Sequence, residues 1–102
     1  MSRLEQLRKL AALSPSDPFT HYGVGLECLA LERWAEAITT FERVLALDPR
    51  YSAAYAQKAR AELKLDRRPA AAATLQAGIA TAQASGETHA ASEMQKTLET
   101  MA

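Results

Sequence analysis

A single cysteine, Cys28, stands in this chain of 102 residues, so no internal disulfide forms. Aromatic residues make up only 6% of it, and glycine and proline number four each. So little glycine and proline excludes the collagen-like and proline-rich disordered classes. Net charge is missing too, because twelve Lys and Arg balance twelve Asp and Glu. A neutral chain exerts no long-range pull on nucleic acid or an anionic membrane. It also lacks the self-repulsion that keeps copies apart. No apolar run approaches the ~18 residues of a transmembrane helix. The stretch from Met1 to Lys9 holds no apolar run of signal-peptide length. The expectation is a cytoplasmic, reduced protein without membrane association, metal or cofactor.

Alanine is abundant, with 22 copies, and apolar residues reach 48%. Alanine is the strongest helix former and lets elements pack closely. A chain of this mass forms one domain and buries roughly 65% of its unfolded surface. Breakers divide it into helix-sized pieces. Ser14-Pro15-Ser16-Asp17-Pro18 is the densest, followed by Asp48-Pro49, Arg67-Arg68-Pro69 and Ser85-Gly86. The spacing predicts helices over 2–13, 17–31, 34–47, 51–65, 68–84 and 87–101, and no strand. Asp17 before Pro18 suits an N-cap followed by proline at the first helical position. Leu4, Leu7 and Leu10 share a helix face that Leu13 continues. Ile38, Phe41, Val44, Leu45 and Leu47 form a wider apolar stripe opposite Glu36, Glu42 and Arg43.

Shifting the chain by 34 residues aligns it with itself without a gap. Gly25 falls on Ala59, Leu29 on Leu63, Ala37 on Ala71 and Phe41 on Leu75. In the other direction Phe41 falls on Leu7, Val44 on Leu10, Leu47 on Leu13 and Pro49 on Pro15. A period of that length marks stacked helix pairs, each unable to bury its apolar face alone. Gly25, Trp34, Ala37, Phe41, Val44, Leu47 and Pro49 together resemble the tetratricopeptide repeat family. The resemblance is strong over 18–51. Over 52–84, Tyr55, Ala59, Ala71 and Leu75 fit, whereas Lys58, Glu62, Gly78 and Gln83 depart. Lys58 and Glu62, four apart, could pair on the surface.

The resemblance implies an all-α, right-handed array of antiparallel helix hairpins, with about six helices. A half repeat or cap at 2–13 would precede repeats at 18–51 and 52–84, with a capping helix at 87–101. It also implies a concave surface lined by the first helix of each repeat. Phe19, Tyr22, Leu26 and Leu29 would face that groove from the first repeat, and Ala56, Arg60, Leu63 and Lys64 from the second. The implied function is non-catalytic: docking a peptide or partner segment in the groove. The family's Lys and Asn carboxylate clamp is absent, because Tyr22 and Leu26 occupy the equivalent places. An alternative is a homodimer that buries the same apolar stripe.

Other constellations carry weaker chemistry. Arg60, Lys64 and Arg67 form a basic stripe suited to acidic side chains or a carboxylate. The wider basic run from Lys58 to Arg68 raises nucleic-acid binding as a further alternative. That run lacks interleaved aromatics, which makes nucleic acid the less favoured partner. Cys28 and His21, seven apart, could approach as a thiolate and imidazolium, without an evident orienting group. His89 and Glu93 are four apart on one face, without a third metal ligand in reach.

Overall fold

The computed structural model describes residues 1–101. Six helices follow in order: α1 Arg3–Leu13, α2 Pro18–Ala30, α3 Trp34–Leu47, α4 Ser52–Lys64, α5 Arg68–Ala84 and α6 Thr88–Thr100. No strand occurs among the described residues. Caps and breakers set the ends. The Ser2 side chain accepts from the Glu5 N–H at 3.1 Å, and that of Asp17 accepts from the Phe19 N–H at 2.9 Å. Two turns end in left-handed backbone at non-glycine residues, Glu32 (φ 59°) and Asp66 (φ 57°). The third such turn uses Gly86 at φ 74°.

Each helix packs on its chain neighbours, and α2, α4 and α6 additionally touch in series. The result is a row of antiparallel pairs, 41 × 28 × 18 Å. Its accessible surface of 5972 Å² slightly exceeds the ~5,600 Å² expected of a compact chain of this mass, as an elongated array should.

Two apolar clusters fill the row. The N-terminal one gathers Leu4, Val24, Cys28, Leu29, Ile38, Phe41 and Val44. Tyr22 packs on it, with ring centroids 5.7 Å from Phe41 and 4.9 Å from Tyr51. The C-terminal one is built from Leu75 and Met94 among alanines 59, 71, 82 and 91. Small residues permit the close crossings. A Cβ at Gly25 would lie 2.5 Å from the Phe41 ring. In the second repeat a Cβ at Gly78 would lie 2.6 Å from both the Met94 sulfur and the Tyr55 Cβ. Gly78 thus departs from the repeat pattern because Tyr55 and Met94 occupy the space that a side chain would need.

Two sequence expectations change. Leu10 and Leu13 do not continue the packed face of α1, being 55% and 80% exposed. The buried face turns instead through Leu4 and Ala11, with Leu7 half-buried between them. The second change concerns Glu62, which lies 5% exposed in the core rather than on the surface. It occupies the place that Cys28 holds one repeat earlier, facing the preceding pair. Lys58 reaches both Glu62 and Glu42, at 3.8 Å each.

Candidate functional site

The first helices α2, α4 and α6 lie side by side along one face of the row. Successive pairs repeat the same hairpin, so residues 34 apart occupy equivalent places on α2 and α4. Leu26 therefore corresponds to Arg60, Tyr22 to Ala56 and Leu29 to Leu63. A cleft of about 530 Å³ opens between α4 and α6, lined by Ala56, Gln57, Arg60, Leu63, Lys64 and Thr97. It continues past Gln57 and Thr97 into a hollow of about 440 Å³ that adds His89, Ala90 and Glu93.

The cleft thus contains Ala56, Arg60, Leu63 and Lys64, all four groove candidates from the second repeat. From the first repeat, Phe19 and Leu26 point outward, 69% and 40% exposed. Tyr22 and Leu29 do not. Leu29 is buried, and Tyr22 is held in the aromatic cluster. These two residues form the joint between the repeats, because α4 packs over that side of α2. Burial raises the Tyr22 hydroxyl above the ordinary tyrosine value, and the adjoining Gln57 amide partly opposes this.

Gln57 and Thr97 were not foreseen. Their signal was the position of α6 as a further first helix rather than only an end cap. The Gln57 Oε1 is buried without a hydrogen-bond partner among the described residues. An orphaned acceptor in a cleft is a place for an incoming donor such as a peptide N–H.

The electrostatics of the cleft are set by two cations. No carboxylate among the described residues lies within salt-bridge distance of Arg60 or Lys64. The Lys64 ammonium sits 5.6 Å from the centroid of the Trp34 ring. The rest of the basic run is partly spent. Lys58 meets Glu42 and Glu62, and Arg68 meets Asp66 at 3.2 Å.

His21 and Cys28 do not act together. The His21 Nε2 lies 2.8 Å from the Pro15 carbonyl oxygen. Cys28 is wholly buried, and burial raises its thiol pKa, away from a reactive thiolate. His89 and Glu93 border the cleft, and no group of three metal-binding side chains forms among the described residues. No helix of the described residues is long and apolar enough to cross a membrane.

The tetratricopeptide repeat family model matches residues 29–93. A tetratricopeptide repeat domain protein from Salinibacter ruber is 31% identical. The match covers 85% of this chain and 88% of that one, with a TM-score of 0.79. The TPR2B domain of yeast Sti1, solved as a pHsp70 complex, is 19% identical with a TM-score of 0.91, covering 96% of this chain and 78% of that one. PcrH, solved with the chaperone binding region of PopD, is 18% identical with a TM-score of 0.91, covering 96% of this chain and 74% of that one. No curated protein matches the chain.

Proposed function

The chain belongs to the tetratricopeptide repeat family, and on that premise we propose that it is a non-catalytic protein-interaction module that docks a peptide segment on its first-helix face. The observation that carries this reading is the pair of uncompensated cations, Arg60 and Lys64, in a cleft whose floor is Ala56 and Leu63. Leu26 and Phe19 extend the apolar surface along α2. Such a surface favours an extended segment that combines acidic with leucine or aromatic side chains. Arg60 offers a planar fork to the carboxylate, the apolar side chains anchor the segment, and Gln57 accepts a backbone N–H. The peptide-bound states of the Sti1 domain and of PcrH support docking as a use of this fold.

The test is a display library of random dodecapeptides selected on the purified protein. Enriched peptides should combine acidic and large apolar residues. Arg60→Glu and Leu26→Glu should each weaken such a peptide at least tenfold by calorimetry. Lys96→Glu, on the outer face of α6, should leave it unchanged. Selection of peptides without acidic residues, or equal binding by all three variants, would defeat the reading.

A further inference from the structure

A hollow of about 450 Å³ lies where α1, α2 and α3 meet. Ala11 and Val24, both buried, form its floor, with Arg8 on the α1 wall and Arg43 on the α3 wall. His21 and Val24 stand roughly 150° round α2 from Phe19 and Leu26, so the hollow is separate from the first-helix face. The repeat supplies a reference for it. At the equivalent junction of α3, α4 and α5, Leu45 replaces Ala11 and is half-buried against the N-terminal cluster. Glu42 replaces Arg8 and Lys58 replaces Val24, and these two lie 3.8 Å apart as an ion pair. Ala77 replaces Arg43. A leucine and an internal ion pair thus occupy the second junction, whereas the first holds alanine, valine and two arginines. The repeat frame requires neither the first hollow nor its cations. His21 does belong to the frame. Its Nε2 donates to the Pro15 carbonyl at 2.8 Å, as the Tyr55 hydroxyl donates to that of Pro49 at 3.0 Å one repeat later.

We propose that this hollow is a second docking site, and that its occupant is an acidic segment of a partner protein with an aliphatic side chain between two carboxylates. Charge complementarity selects the carboxylates. Glu36 meets both Arg8 and Arg33, so one acid serves two guanidinium groups. No carboxylate among the described residues lies within salt-bridge distance of Arg43. A guanidinium on each wall offers a planar fork to an incoming carboxylate. Between them, Ala11 and Val24 receive the aliphatic side chain. Ala12, Pro15 and Arg43 at the rim are exposed. A small molecule there would keep much of its surface in water, unlike one in an enclosed pocket, whereas a protein segment covers the rim as well. Nucleic acid is disfavoured, because the only ring among the lining residues is the His21 imidazole held by Pro15, and base stacking needs free rings. The hollow shares no residue with the cleft between α4 and α6 or with Phe19 and Leu26, so both sites can be filled at once.

The probe is a capped hexapeptide of alternating glutamate and leucine, titrated into isotope-labelled Arg60→Glu protein, in which the α4–α6 cleft carries the opposing charge. The amide resonances of Ala11, Ala12, Thr40 and Arg43 should move saturably. Two further substitutions should each weaken the peptide about tenfold or more while keeping the circular dichroism of the parent. Arg43→Glu reverses an exposed charge that has no partner to lose. Ala11→Leu installs the residue that stands at the second junction. The same hexapeptide with lysine for glutamate should leave the resonances in place. Unmoved resonances around Ala11 and Arg43, undiminished binding by both variants, or binding of the lysine peptide would overturn the proposal. Shifts confined to Ala56 through Lys64 would overturn it while leaving docking between α4 and α6 in force. A single-stranded hexanucleotide that moves the same four resonances at lower concentration than the peptide would overturn the protein occupant.

Discussion

Two glycines two residues apart on α2 have opposite tasks. Gly25 faces the Phe41 ring, which would lie 2.5 Å from any added Cβ, and Phe41 is wholly buried. Neither side has room to move in a close-packed interior. Gly25→Ala gains helix propensity worth about 1 kcal/mol. It also incurs overpacking of typically 1–3 kcal/mol, more when the neighbour is rigid. Urea unfolding should show a net loss of about 1–2 kcal/mol. Gly23→Ala meets only ordinary contact at 3.7 Å. It should raise stability by up to about 1 kcal/mol. Equal signs for the two substitutions would contradict the packing described. Gly25 and Phe41 were legible together, since a small residue opposite a large apolar one recurs as Ala59 opposite Leu75. Gly78 was not, because its neighbours Tyr55 and Met94 come from two other helices.

At the scale of the element, helix positions were the most legible feature. Prolines, caps and the 34-residue period placed all six within a residue or two. Which face each helix buries was less legible where a helix lies at an end or breaks the pattern. The leucines of α1 form one continuous stripe in sequence, but the fold supplies neighbours only for part of it. On α4, Lys58 and Glu62 stand where α2 carries Val24 and Cys28. The spacing suggested a surface pair, yet Glu62 is in the core with its Oε1 unpartnered. Lys58→Met would leave that carboxylate buried without its cation, at a cost of about 1–3 kcal/mol. Adding Glu62→Leu should restore most of the loss, since an apolar pair of similar volume often matches a buried ion pair. A double-mutant cycle in urea measures this. If the double variant is less stable than Lys58→Met alone, the pair is needed for more than mutual neutralisation.

Across the whole molecule, contacts run only between helices near in sequence. Such an array behaves as a chain of units coupled to their neighbours, and its stability varies along its length. The N-terminal cluster holds Phe41, Val44, Val24, Leu29 and Ile38. The C-terminal cluster depends on Leu75 and Met94 among alanines, whose side chains bury far less apolar surface. Amide exchange in the native state should therefore be slowest in α2 and α3 and fastest in α6. Met94 is 2% exposed and packs on Gly78, tying α6 to α5. Met94→Ala should cost about 2–4 kcal/mol where the cluster cannot collapse. It should speed exchange in α5 and α6 while leaving α2 and α3 nearly unchanged. A uniform acceleration along the chain would mean that the row opens as one cooperative unit. The cleft between α4 and α6 would then be as rigid as the core. With unequal exchange, peptide docking across α4 and α6 should slow exchange there most, because a ligand stabilises the elements it bridges.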